Sequence, residues 1–544
     1  MADRITGLVN MQQKFKRTIL VLAVLWAFVL LPDIIYGLFD SNYIAGRDGK
    51  SAAISVLLVT LLMFSRTPKL NLTVLSLFFI WQSSQLMYFQ YYGAFYSAFD
   101  MGLIFGEAYD ALFGFLDVIQ FLVIPWSLSA LFFAAAFYTY RRYQKDIVTV
   151  PYISVLFVLL MLLPLLQSIK SQSSQKFQPN IAHSSLKNGF YSYSYFFARE
   201  GKILLGIQPP TKNYLPYEIV KKPVADANVV IIMGESLSYM NMGLFGYKRD
   251  NTPDLTKYLD NENFIYKPSI SSAVSTRVSL ALFFNTVYEP DNVAHISHMD
   301  TALFKLAKQS GFNTHYITTQ KNAGGLTYSF SPSHIDSWQE DKHLSRFDST
   351  YDDRLLLALD EMKLDYSKPQ FITLHMRSTH TPYVENYPKS QEVYPVAGKG
   401  YEEYMINSYD NSVLYTQKVI ADIYTFFENT NKPTYIFFTS DHGELMGQGG
   451  RFGHNAVDLD IARVPFLFYG VNLEPSEVQK IDKNLGCVPN HYVISKQVAN
   501  VLGYGIINPN EKAGEFYLNG VDAFGAAGFL KYQQLDVEKQ TCAG

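Results

Sequence analysis

At 544 residues the chain is too long for one compact domain, and two or three are expected. Apolar residues make up 48% and aromatics 15% against 17% charged, and the apolar runs crowd the first third, so a wholly soluble globular protein is excluded. A net charge of −3 without a basic tail or Lys/Arg block argues against nucleic-acid binding, and the two cysteines, Cys487 and Cys542, fit no metal spacing.

Five apolar segments come first, at residues 18–39, 51–65, 70–89, 119–140 and 152–167. A spanning helix needs about 20 mostly apolar residues, so five spans are expected, the second and fifth being short. The first is too long, and too poor in small residues at its end, for a cleavable signal peptide. Basic residues flank it (Arg4, Lys14, Lys16, Arg17) and recur at Arg66 and Lys69 and at Arg141, Arg142 and Lys145. The loop at 90–114 carries Asp100, Glu107 and Asp110 and no cation. By the positive-inside rule the amino terminus is cytoplasmic and everything after the fifth span lies outside, which in a Gram-negative cell is the periplasm. The aromatic stretch 91–113 suits either an interfacial helix or a plain connection.

Residues 169–226 are polar and mixed, with a Tyr/Phe-rich piece, and read as a bridging linker. The expected division is a transmembrane domain at 1–168, the linker at 169–226 and an outer domain at 227–544. In the outer part, NVVIIM (228–233) is a buried strand that ends in Gly234-Glu235-Ser236. The stretch ISSAVSTRVSLALFF (270–284) is a hydroxyl-rich turn opening a helix. Its Thr276 is either a cap or a nucleophile at a helix amino terminus, where backbone N–H groups favour a phosphate. Strands at 311–317 and 369–376 follow; the first runs into a loop with Gln320, the second contains His375 and leads to His380. Helical stretches at 352–362 and 408–427 between them indicate a mostly parallel, doubly wound sheet.

The last strand, YIFFT at 435–439, ends in Ser440-Asp441-His442-Gly443-Glu444, and a glycine-rich loop then brings in His454. An Asp oxygen beside a neutral His nitrogen suits a zinc-like ion, although the same pair is also an ordinary strand-end turn. Glu235, Gln320, His380 and Asp441-His442 all fall at strand ends of one rim, where open α/β sheets place their ligands.

The set GES at 234–236, SSAVSTRVSLALFF, LHMRSTHTPYVENYP at 374–388 and TSDHGE…GHN at 439–455 resembles the phosphoethanolamine transferases of the Gram-negative inner membrane. These belong to the alkaline phosphatase and sulfatase superfamily. The resemblance implies a membrane helical domain joined to a periplasmic α/β domain of the alkaline phosphatase type. It implies a zinc ion held by Glu235, Asp441, His442 and Thr276, with Thr276 as nucleophile. His380 and His454 match outer histidines that hold phosphate or a second zinc and are catalytic candidates. His375, Gln320 and Glu107 are further substrate-side positions. The implied donor is phosphatidylethanolamine and the acceptor a lipopolysaccharide, at its core sugars or lipid A; a monomer in the membrane lipid is expected. Members that modify lipid A commonly carry several disulfides and a Pro-Cys pair where Ala281-Leu282 stands here, so a core-sugar acceptor fits at least as well. Formylglycine sulfatases need Cys or Ser four residues before an Arg; Ala273 stands four before Arg277, against sulfatase activity. The chemistry follows from the residues. Zinc lowers the pKa of a bound oxygen by several units, Thr276 attacks the phosphorus, and His454 or His380 protonates the diacylglycerol oxygen. The alternatives are a phosphoglycerol transferase using phosphatidylglycerol on the same core and a catalytically dead membrane scaffold.

Overall fold

The computed structural model describes residues 2–39, 43, 48–92, 95–96, 98, 101, 108–170, 177, 179–180, 182–204, 215–290, 292–321, 332–377, 379–454, 457–520 and 529–542. The chain forms two compact units, one holding Met1–Gln208 and Gly449–Phe452 and the other Pro209–Gln448 and Gly453–Gly544.

The first unit is helical: α1 Ala2–Phe39, α2 Gly49–Phe64, α3 Pro68–Tyr92, α4 Ala108–Tyr143, α5 Ile153–Lys170 and α6 Ser185–Leu204. Three stretches, Met11–Phe39, Pro68–Gln90 and Leu122–Tyr143, are long and apolar enough to cross a membrane; α2 and α5 are shorter apolar helices. Val21, Leu25 and Phe28 of α1 pack with Val59 and Leu62 of α2 and Leu75 and Phe78 of α3 in one buried cluster. Large apolar side chains such as Ile124, Leu131 and Leu159 point outward instead, the inversion that a lipid solvent allows. Part of the stretch that reads as a linker is thus a helix of this unit. The reason is amphipathic patterning by aromatics: Phe190 of α6 stacks on Trp81 of α3 at 5.4 Å. Asp33 of α1 accepts from the Ser185 amide (3.1 Å) at the amino end of α6 and from the Tyr43 hydroxyl (2.6 Å). A carboxylate at a helix start satisfies an otherwise orphaned N–H.

In the second unit seven strands make the main sheet: β1 Asn228–Gly234, β2 Phe264–Ile270, β3 Asn313–Thr318, β4 Ser337–Gln339, β5 Gln370–His375, β6 Thr434–Ser440 and β7 Arg463–Val471. Their spatial order is β2-β7-β6-β1-β5-β3-β4. β7 runs antiparallel to both of its neighbours, β2 and β6, while β6, β1, β5, β3 and β4 pair in parallel. The central strands are apolar without a break because both faces are covered. Val229, Ile231 and Met233 of β1 join Phe437 of β6 and Phe468 of β7 in the main core, together with Leu280 and Phe284 of α7 (Thr276–Phe284), Phe304 of α8 (Leu303–Gln309) and Ile494 and Val498 of α9 (His491–Val501). The alternate residues Val230 and Ile232 are fully buried as well. Cys487 and Cys542 form a disulfide and tie the carboxyl-terminal segment to the chain ahead of α9.

Parallel strands end on one edge. Register places Gly234 opposite Ser440, Met233 opposite His375, and Thr318 opposite His375, so the residues that follow β1, β3, β5 and β6 meet.

Candidate metal and nucleophile site

Glu235, Asp441 and His442 offer one ligand atom each, all within 4.8 Å of one another, and all three side chains are buried. His442 Nε2 lies 3.6 Å from Glu235 Oε1 and 3.4 Å from Asp441 Oδ2. His442 Nδ1 donates to the Gly443 carbonyl at 2.9 Å, which leaves the Nε2 lone pair facing the cluster. Asp441 Oδ1 accepts from the amides of His442 (2.7 Å) and Ser236 (3.0 Å), whereas its buried Oδ2 has no hydrogen-bond partner. An orphaned carboxylate oxygen beside a carboxylate and an imidazole lone pair is costly unless a cation completes it.

Thr276 is the first residue of α7, and its Oγ1 lies 3.2 Å and 3.4 Å from the Glu235 oxygens and 3.3 Å from His442 Nε2. The cap of α7 is Ser275, whose side chain makes no capping bond, so the Thr276 hydroxyl points at the cluster rather than closing the helix. Four side chains from three distant segments therefore converge on one point.

The turn that presents Glu235 is held from several sides. Ser236 adopts a left-handed backbone (φ 54°), a conformation that costs a non-glycine residue roughly 1 kcal/mol or more. Its amide is held by Asp441 and its carbonyl by the Tyr409 hydroxyl at 2.8 Å. Gly443 is required for close approach, since a Cβ there would meet the Ile461 and Arg463 carbonyls at 2.8 and 2.9 Å.

Gln320 lies beneath the cluster rather than beside it: Nε2 donates to Glu235 Oε2 at 2.7 Å and to the Met376 carbonyl at 2.8 Å. His375 Nδ1 bonds the Tyr316 hydroxyl at 2.8 Å, and its Nε2 is 3.9 Å from Glu235 Oε2. Burial pushes His375 down to about 4. His454 Nδ1 bonds Glu444 Oε2 at 2.7 Å, and its ring lies 4.3 Å from that of His442. His442, Glu444 and His454 form a second group with metal-ligand spacing that shares His442 with the first. His380, half-buried, bonds the Thr381 carbonyl through Nδ1; burial, with Arg377 and the imidazoles of His454 and His442 nearby, holds its pKa well below the usual value. Glu107 lies outside the described residues.

Two contributors have roles that the sequence does not single out. Glu444 sits in the strand-end motif but is tied down by the Tyr383 hydroxyl at 2.8 Å, from 61 residues away. His491, fully buried at the start of α9, reaches the Ser440 carbonyl (2.9 Å) and the Ser279 hydroxyl (3.2 Å), and Ser279 in turn bonds the Asp441 carbonyl (2.5 Å). It braces the Asp441-His442 turn from behind. Replacing His491 with alanine is expected to cost about 1–3 kcal/mol of unfolding free energy in urea, because buried polar partners lose their bond. Burial also pushes His491 down to about 4, as it does His375. The unfolded chain binds these protons near pH ~6.5, so stability is full above that pH and falls progressively toward pH 4. Urea melts across this window check the sign; a stability that rises on acidification would contradict it.

A second expectation concerns Gln320. Gln320→Leu removes the donor that fixes Glu235, and outer-shell losses of this kind cost about 10–100-fold in metal affinity. Metal titration of the variant measures this, and an unchanged affinity would show Glu235 to be held without it.

A mostly parallel sheet thus presents a carboxylate–imidazole cluster at its strand ends, faced by a hydroxyl on a helix start. Residues 227–490 match the family described as Sulfatase. Among curated proteins the chain is 28% identical over 263 residues to the Kdo(2)-lipid A phosphoethanolamine 7''-transferase of Salmonella typhimurium, covering 46% of each. It is 26% identical over 272 residues to the phosphoethanolamine transferase EptC of Escherichia coli, covering 47% of this chain and 46% of the relative. The matched region thus spans about half the length of these relatives. Among solved structures, the integral membrane lipooligosaccharide phosphoethanolamine transferase A of Neisseria meningitidis shares the fold at a TM-score of 0.58 and 15% identity, covering 89% of this chain and 95% of that one. Helical unit and α/β unit are both present in that likeness, and the three long apolar helices mark a membrane protein.

Proposed function

We propose that this protein transfers phosphoethanolamine from phosphatidylethanolamine to a lipopolysaccharide acceptor through a covalent intermediate on Thr276. The observation that carries the reading is the position of the Thr276 hydroxyl, 3.2 Å from Glu235 Oε1 and 3.3 Å from His442 Nε2, next to the unsatisfied Asp441 Oδ2. The relatives named as phosphoethanolamine transferases support the choice of transferred group.

Glu235, Asp441, His442 and Thr276 fit a zinc ion in donor type, and such an ion supplies Lewis acidity toward the phosphoryl oxygens and lowers the pKa of the threonine hydroxyl. The protein's own groups do the rest. Thr276 Oγ1 forms the bond to phosphorus while the bond from phosphorus to the diacylglycerol oxygen breaks. The Glu235 carboxylate lies within reach of the proton that leaves Thr276, and His454 supplies one to the departing oxygen, since burial holds His380 in its uncharged form. The start of α7 directs backbone N–H groups at the anion. Gln320 then acts through Glu235, setting its orientation, while His375 stands 3.9 Å from the same carboxylate. A hydroxyl of the acceptor takes the group from Thr276 and frees the enzyme, which gives ping-pong kinetics. In this reading 227–544 is the catalytic part in the periplasm, 1–168 crosses the inner membrane with five helices, and Thr276 works on the side of both lipids. Sulfatase chemistry is not part of the reading, since Ala273 stands where a formylglycine precursor would be needed.

The test is mass measurement of the full-length chain after incubation with each donor lipid. A phosphoethanolamine adduct on the peptide containing Thr276 supports the reading. A phosphoglycerol adduct from phosphatidylglycerol alone assigns the other donor, and no adduct with either lipid refutes it.

A further inference from the structure

Arg377 follows β5 by two residues and is 6% exposed, on the wall of a cavity of about 590 Å³. Its amide donates to both oxygens of Asp352, at 3.0 and 3.1 Å. The same carboxylate, buried, accepts from the hydroxyl of Thr319, the neighbour of Gln320. Asp352 therefore ties the stretch after β3 to the stretch after β5. A short chain of contacts then runs to the metal cluster. Arg377 Nη1 donates to Gln320 Oε1 at 3.1 Å, and Gln320 Nε2 donates to Glu235 Oε2 at 2.7 Å and to the Met376 carbonyl at 2.8 Å. The Thr379 hydroxyl, two residues beyond Arg377, closes on the Glu235 carbonyl.

The two ends of a glutamine amide have nearly the same shape, so packing alone does not decide which end faces which neighbour. The hydrogen-bonding character of the neighbours does. Glu235 Oε2 and the Met376 carbonyl accept, whereas a guanidinium only donates. Turned over, Gln320 would set its oxygen against two acceptors and its NH2 group against a donor. Buried groups stripped of water would then be left without bonds, which is costly. With Arg377 in place one orientation remains, the one that presents a donor to Glu235.

We infer that Arg377 is a positioning residue for Glu235: anchored by Asp352, its guanidinium fixes the Gln320 amide in the orientation that holds this carboxylate for a metal ion. The inference rests on the reading of Glu235, Asp441 and His442 as metal ligands and deepens it. Arg377 acts through one intervening side chain, from the cavity side of the sheet edge rather than from the side of Thr276.

Zinc affinity of the full-length protein in detergent, measured by competition with a chromogenic chelator, tests this. Arg377→Met is expected to weaken zinc binding about ten-fold, the low end of the loss for an outer-shell partner. Circular dichroism and urea melts of the metal-free chains check the fold, and Arg377→Ala, which opens onto the cavity, takes its place if the methionine chain does not fold. Arg377→Lys keeps an N–H donor and is expected to recover most of the loss. In a Gln320→Leu background Arg377→Met is expected to cost nothing further, because the contact it acts through is already gone. The guanidinium charge by itself repels a bound cation, so loss of charge alone would tighten zinc in either background. Parent or tighter affinity in the folded variant, the same loss in both backgrounds, or a lysine variant no better than methionine would overturn the inference. A parent chain that binds no zinc refutes the metal reading itself, and shows as such before any variant is compared.

Discussion

Thr276→Ala is expected to lower phosphoethanolamine transfer roughly ten-thousand-fold and to remove the adduct on that residue altogether. The hydroxyl is the group aimed at the cluster, and its hydrogen bonds to Glu235 and His442 stretch from 3.2 to 3.4 Å, loose for a structural bond. Glu235 keeps Gln320 and the Ser236 hydroxyl, His442 keeps the Gly443 carbonyl through Nδ1, and its Nε2, which loses the Thr276 hydroxyl, still faces the cation site. Alanine is also at least as good a helix former at the start of α7. The stability change should therefore stay within about 1 kcal/mol, and bound metal should remain close to that of the parent. Thr276→Ser, which restores a hydroxyl, is expected to recover measurable adduct. Transfer undiminished in the alanine variant would show that the nucleophile lies elsewhere.

Asp441→Asn is expected to strip the protein of metal and of activity together. Asp441 Oδ2 is buried and has no hydrogen bond, and Glu235 and His442 share its space. Without a cation, two carboxylates stand desolvated side by side, which a folded protein resists. Loss of the Asp441 charge should cut metal affinity by more than the roughly 10–100-fold of an outer-shell change. A metal present at about a thousand times its dissociation constant stabilises the fold by about 4 kcal/mol, so chelation should lower the melting temperature of the parent chain visibly and zinc should restore it. In the asparagine variant chelator and zinc should both be without effect. Parent activity and melting temperature that survive exhaustive chelation would contradict the metal assignment.

The parts of this site that could be read from the chain are those written locally. VVIIM and YIFFT are short β-branched and aromatic runs that stop at an acid, and each proves to be a central strand whose carboxyl end faces the rim. The helix at Thr276 was legible because an apolar run follows a cluster of hydroxyls. What sequence could not supply was long-range support. His491 looks like any helix-start histidine, since its partners Ser440 and Ser279 lie 51 and 212 residues away. Gln320 reads as a loop residue on the substrate side, and only the packing of β3 against β5 turns it toward Glu235. Strands β2, β4 and β7 escaped because Pro268 and Pro465 interrupt two of them and the third is three residues long. Helix α6 escaped for a different reason: Ser and Tyr alternate along it, so its apolar face is aromatic rather than aliphatic. The two cysteines gave no pairing by spacing, and the fold brings them together across 55 residues.

The most direct test of the central claim is anomalous diffraction at the zinc edge from crystals of the full chain grown with zinc. The account predicts a peak bounded by Glu235, Asp441 and His442, with the Thr276 hydroxyl in its coordination sphere. A peak held by Glu444 and His454 alone, with Thr276 turned away from it, would contradict the account.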